Sequence, residues 1–107
     1  MRIVVITDTS EQLISAINNR IIYHLLPGWK RVINEDNSTW YAHTPAPWDE
    51  TAMLSPSVQQ DKVVFTVCWC YLNDEPTPTE KSYILSRFTK MLFVHFTQFY
   101  RKLETYR

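Results

Sequence analysis

The sequence predicts an α+β fold. It reads as one two-layer domain, residues 1–107, in which a mostly antiparallel sheet of three or four strands carries two helices on one face, in the order β-α-β-β-β-α. Three observations predict it. Short β-branched apolar runs occur at 2–7 and 62–72, two longer stretches show helical apolar spacing, and Pro, Gly, Asn and Asp punctuate the chain between them. A chain of 107 residues with 45% apolar content is of single-domain size and can bury a core without staples.

Arg2-Ile3-Val4-Val5-Ile6-Thr7 reads as a strand buried on both faces. Asp8 and Thr9 then offer N-caps, with Glu11 and Gln12 as capping-box partners, and a helix is expected over 9–26. Leu13, Ile14, Ile17, Ile21 and Leu25 share one face of it. Leu26-Pro27-Gly28-Trp29 ends it in a turn.

A hairpin follows, with strands at 29–34 and 39–43 around Asn34–Ser38. Residues 44–61 contain Pro45, Pro47 and Pro56 and read as an irregular connection with one or two helical turns near 48–54. Residues 62–72 are the clearest strand, apolar on both faces and hence central in the sheet. Asn73–Pro78 is an acidic turn. Thr77 or Thr79 caps a last helix expected to reach the C-terminus, with Ile84, Phe88, Met91, Leu92, His95, Phe96, Phe99, Leu103 and Tyr106 as its apolar stripe.

Charge is sorted along the chain although it sums to zero. Residues 1–34 carry a net +2, residues 35–80 a net −7 and residues 81–107 a net +5. Such a dipolar distribution steers partners. The single glycine, Gly28, excludes a dinucleotide fingerprint, a P-loop and a Gly-x-Ser-x-Gly nucleophile turn, each of which needs several. No apolar stretch approaches the ~20 residues of a membrane span, and no signal-peptide pattern opens the chain, so a cytoplasmic protein with no membrane association is expected.

Four constellations are candidates for function. The acidic middle places Glu35 and Asp36 in the hairpin turn, Asp49 and Glu50 in the long connection, and Asp74 and Glu75 in the next turn. Trp40 and Trp48 supply rigid contact area beside them. The pattern predicts a face that meets a basic protein partner, such as a toxin or nuclease domain. The last helix offers the alternative, a basic face of Arg87, Lys90, Arg101 and Lys102, with Arg107 beyond them, suited to nucleic acid. Phe93 and Tyr100 fall outside that helix's apolar stripe and point to a homodimer through it. Cys68 and Cys70 share a strand face while His24 and His95 fall on helix faces. Cys-x-Cys with distant lone histidines matches no zinc spacing, so neither metal nor any other cofactor is expected. His43 with Asp49, Glu50 or Ser55 is the nearest approach to a catalytic pairing, and no motif joins them. The expectation is a non-enzymatic binding protein of the immunity or inhibitor kind. A nucleic-acid-binding accessory protein and a homodimeric structural or phage-type accessory protein are the alternatives.

Overall fold

The sheet is wholly antiparallel and has six strands. The structure, a computed structural model, describes residues 1–44 and 51–107. The elements are β1 (Arg2–Ile6), α1 (Ser10–Ile22), β2 (Trp29–Ile33), β3 (Thr39–His43), β4 (Met53–Val58), β5 (Lys62–Cys68), α2 (Pro78–His95) and β6 (Lys102–Tyr106), with a short 3-10 turn at Thr97–Phe99. Strand order is β2-β3-β4-β5-β1-β6. The α+β class stands and β5 is central, but the expected three or four strands become six and the order gains a strand on each side of α2.

Register explains the core. Ile3 lies opposite Phe65 and Val5 opposite Val63, Phe65 opposite Pro56, Val67 opposite Leu54, and Leu54 opposite Tyr41. Directly opposed residues point the same way, so this set forms one face. Leu13 and Ile17 of α1 and Ile84, Leu85, Phe88, Met91 and Leu92 of α2 join it in one buried cluster. Both helices therefore cover the same face. The Cα radius of gyration, 13.0 Å, is that of one packed domain of this length. The alternate residues Val4, Val64 and Thr66 are half-buried or exposed, so β1 and β5 are sealed on one face only, not on both as their composition suggested.

Four element ends differ from expectation. α1 stops at Ile22 instead of residue 26 because His24 takes a left-handed φ of 58°. Its N–H reaches the Ile21 carbonyl at 3.1 Å and that of Leu25 reaches Arg20 at 2.7 Å, a Schellman closure. Leu25, which fits the helical spacing, is left exposed. The start of α1 also differs. Thr9 stands at the N-cap without a side-chain cap bond, so the capping box with Glu11 or Gln12 is not formed. The Thr9 N–H is instead received by the Thr7 hydroxyl at 3.0 Å, and Thr7 Oγ1 donates to the Phe99 carbonyl.

β5 ends at Cys68, short of residue 72, and Cys70–Asn73 turns away with an N–H to carbonyl bond of 3.0 Å. α2 begins with the Thr77–Glu80 capping box and ends at His95. The spacing of Phe99, Leu103 and Tyr106 continues the helical stripe, yet these residues do not lie on α2. Phe96 is fully buried at the helix end, the 3-10 turn reverses the chain, and Lys102–Tyr106 returns as β6 against β1. An edge left open on β1 outweighs that periodicity, and on the strand Leu103 and Tyr106 fall on opposite faces, Leu103 opposite Val5 and Tyr106 opposite Arg2.

The connection at 44–61 is the other correction. Met53–Val58 is strand β4 where an irregular connection was expected, and Pro56 lies within it; residues 48–50 of the helical turns expected near 48–54 lie outside the described residues. Pairing with β3 stops at Met53 and Leu54, so at Pro56 the strand is paired on its β5 side alone. A residue without an N–H is tolerated there as on any edge. No helix among the described residues is long and apolar enough to cross a membrane.

Candidate functional site

The face of the sheet away from the helices presents a second set of side chains. Lys30, Ala42, Met53 and Cys68 are opposed in one row across four strands, and Val32 is opposed to Trp40 in the next. Towards β1 and β6 this face is polar, with Arg2 stacked over Tyr106 at 4.6 Å and Glu104 beside it. Towards β2, β3 and β4 it is apolar, and there it forms a groove of about 520 Å³.

Trp40 and Met53 line the middle of the groove. The β2–β3 turn forms one wall through Ile33, Asn34, Glu35, Asp36 and Ser38. Cys70, Tyr71 and Leu72, which follow β5, form the other. Tyr71 is 88% exposed, Leu72 77% and Ile33 57%. Tyr71 and Leu72, two large apolar side chains, thus stand in solvent beside one depression, which a folded chain leaves open at a cost and usually for contact; Ile33 borders it too, but its pairing with Thr39 turns its side chain to the helix side with Arg31 and Tyr41.

The turn that carries the acids is tightly specified. The Asn34 N–H reaches the Ser38 carbonyl and the Asn37 N–H reaches Asn34, both at 2.9 Å, and Asn37 has a φ of 68°. Asp36 Oδ1 accepts from the Ser38 hydroxyl at 2.6 Å and from the Ser38 N–H at 3.0 Å. Those bonds, the hydroxyl first, hold the Asp36 carboxyl below its ordinary pKa, so it stays ionised. Asp36 therefore shapes the turn as well as charging it, and Glu35 projects its charge from a fixed loop.

The other predicted acids divide. Asp74 and Glu75 are exposed in the β5–α2 connection but do not line the groove, and Lys81 pairs with Glu75 at 2.5 Å. Trp48, Asp49 and Glu50 lie outside the described residues. The structure thus brings Glu35, Asp36 and Trp40 together and leaves Asp74 and Glu75 on a neighbouring loop. Ile33, Tyr71 and Leu72 were missing from the sequence reading, because Tyr71 and Leu72 continue an alternating apolar pattern whose end nothing in that pattern marks.

The basic set is also divided, because it does not lie on one helix. Arg87 and Lys90 are on α2. Arg101 follows the 3-10 turn and pairs with Asp8 at 3.1 Å, while Lys102 is on β6 with Glu104 at 4.0 Å. Tyr100, expected on an outer helix face, packs against the core and donates to the Leu92 carbonyl at 3.4 Å. Phe93 and Val94 of α2 are exposed at 70% and 58%.

The cysteines and histidines do not converge. His24 is exposed beyond α1, His95 closes α2, and Cys70 is past the end of β5. Among the described residues no group of three His, Cys, Asp or Glu side chains could hold a metal ion. Cys68 is a free thiol that burial pushes up to about 12, so it is not a nucleophile at neutral pH. His43 faces the helix side against Tyr83, and Ser55 lies on the opposite face of the sheet.

No family model matches the chain, and neither the curated proteins nor the solved structures include a significant match.

Proposed function

We propose that this protein is a small binding module of the immunity or inhibitor kind, which sets the groove on its open sheet face against a basic partner protein and covers that partner's working surface. The observation that carries this reading is the juxtaposition of a rigid acidic turn with exposed Tyr71 and Leu72 around the Trp40–Met53 depression. Aromatic and aliphatic anchors beside a pocket are the usual centre of binding energy. Carboxylates at the rim attract a cationic partner and raise its rate of encounter. A toxin or nuclease surface built to receive phosphates has the complementary charge.

The test uses photo-crosslinking residues placed singly at Tyr71, Glu35 and, as a remote control, Gln12. They are exposed to nuclease-treated lysate of the source cells, with mass-spectrometric readout. One basic protein crosslinked from Tyr71 and Glu35 but not from Gln12 is expected. With that partner purified, Leu72→Ala speeds dissociation by about tenfold or more, the scale of one interface anchor. Glu35→Gln slows association at low salt and flattens its salt dependence. Unchanged association at low salt in Glu35→Gln rules out the acidic steering.

A second reading rests on Phe93 and Val94, adjacent apolar residues exposed on α2. They suit a homodimer through that helix, and sedimentation as a strict monomer at high concentration removes it.

A further inference from the structure

We propose that the cleft between α2 and the α1–β2 turn binds a small phosphate-bearing anion, held by Arg87 and Lys90 with the His43 ring at its inner end. The cleft measures about 240 Å³, and Pro27, Trp29, His43, Arg87, Lys90 and His95 are among its lining residues. Arg87, Lys90 and Val94 are spaced i, i+3, i+7, so one helix face presents both cations to it. Among the described residues no carboxylate lines it. Lys81, Arg101 and Lys102 each have a carboxylate partner, whereas among the described residues Arg87 and Lys90 make no ion pair. Two unneutralised cations on adjacent turns, with two histidines beside them, form a local positive field on the side of the sheet opposite the acidic groove.

His43 is fixed by its surroundings. Its ring lies 4.9 Å from that of Trp29 and 5.6 Å from that of Tyr83. Its Nδ1 is 3.2 Å from the Tyr83 hydroxyl. This contact fixes the orientation of the ring. A Cβ at residue 28 would stand 3.3 Å from Nε2, and the chain's one glycine occupies that position at a φ of +89°. The Gly28 backbone thus packs against the Nε2 side of the ring with no side chain between them. Burial, and then the neighbouring Arg87, hold the His43 pKa below its ordinary value. A guanidinium fork and an ammonium together match the acceptor-rich oxygens of a phosphate. The volume accepts a phosphate on a small organic group and is below that of a large cofactor pocket.

The test is NMR titration of the intact protein with inorganic phosphate and, separately, a nucleoside monophosphate, at ionic strength held constant with chloride. Saturable shifts of the His43 ring and Arg87 guanidinium signals are expected with at least one probe. Arg87→Gln, an exposed substitution that leaves the fold intact, weakens the affinity about tenfold, the scale of one charge-assisted contact. Lys90→Gln weakens it less. Equal affinity for the two probes means that the site reads the phosphate alone, and tighter binding of the monophosphate means that its organic part packs on Trp29 and Pro27. The proposal is overturned if the shifts are reproduced by sodium chloride alone, or if Arg87→Gln leaves them unchanged. It is also overturned if a single-stranded oligonucleotide binds with steep salt dependence while neither small probe binds, because the α2 face is then a nucleic-acid surface. Crosslinking from Tyr71 proceeds normally in Arg87→Gln, which separates this site from the groove.

Discussion

The helix-covered face of the sheet and its open face are made from the same strands by alternate residues, yet they are built to different ends. Ile3, Val5, Leu54, Val63 and Phe65 point into the helices and lose all contact with solvent, whereas Thr66, Val64 and Trp40 on the other side keep it. Towards β2–β4 the open face buries the side chains of Ala42 and Met53, and there it is flanked by exposed Tyr71 and Leu72. Stability is concentrated on one face, which leaves the other free to present apolar residues that folding does not need. The charge follows the same division, with acids around the open groove and, over α2, bases that make no ion pair among the described residues.

The largest effect should come from setting one residue of each face against the other. Phe88 is fully buried, with ring centroids 4.8 Å from Phe65, 5.2 Å from Trp29 and 5.7 Å from Tyr41. Phe88→Ala should cost about 3–5 kcal/mol, a large part of a small domain's total stability. Leu72→Ala, of similar apolar character but 77% exposed, should change stability by less than about 0.5 kcal/mol. Urea titration of both variants checks this, and a loss at Leu72 comparable to that at Phe88 would mean that the open face is part of the core.

Gly28→Ala comes next and probes the join between the helix layer and the β2–β3 hairpin. At a φ of +89° the new methyl is strained and meets the His43 ring. A destabilisation of about 1–2 kcal/mol is expected. The same urea titration reads it, and a neutral result would show that the turn after α1 readjusts freely.

How much of this was legible in the sequence depends on whether a signal was local. The Thr77–Glu80 capping box, the Asn34–Ser38 turn and the central β5 are written in adjacent residues, and the fold uses them. β4 and β6 were hidden because their strands are justified by neighbours distant in sequence. Pro56 is allowed only where β3 pairing has stopped, and Lys102–Tyr106 is a strand only because β1 offers an edge. The groove was half legible. Glu35, Asp36 and Trp40 stood out by charge and ring, while Tyr71 and Leu72 looked like more strand. The basic cleft needs Trp29, His43 and Arg87 brought together from three elements, and no local pattern announces that.

His24 shows the same limit at a smaller energetic scale. It holds the left-handed position that ends α1 and is usually glycine. His24→Gly should stabilise the protein by up to about 1 kcal/mol, because the left-handed conformation costs an ordinary residue roughly that much or more while glycine's larger unfolded-state entropy takes part of the gain back. A lowered urea midpoint would show that the imidazole makes a compensating contact.

The smallest effects are in pH, and they separate the two faces. His43, on the helix side, has a folded pKa below its ordinary 6.5, so the unfolded chain binds the proton more readily. Its contribution is complete above pH 6.5 and is lost as pH falls below that value through the folded pKa. Asp36, on the open side, has a folded pKa below its ordinary 3.8, because the folded turn donates to the carboxylate. Its contribution is complete above its ordinary pKa and is lost only as pH falls through the acid range beneath 3.8. Stability measured by urea midpoint against pH should therefore decline in two stages. His43→Gln, which keeps an acceptor for Tyr83, should flatten the first stage and leave the second. Asp36→Asn should do the reverse. If the first decline survives in His43→Gln, the groups responsible are elsewhere, and the tightly held imidazole at the inner end of the cleft is not the one that resists protonation.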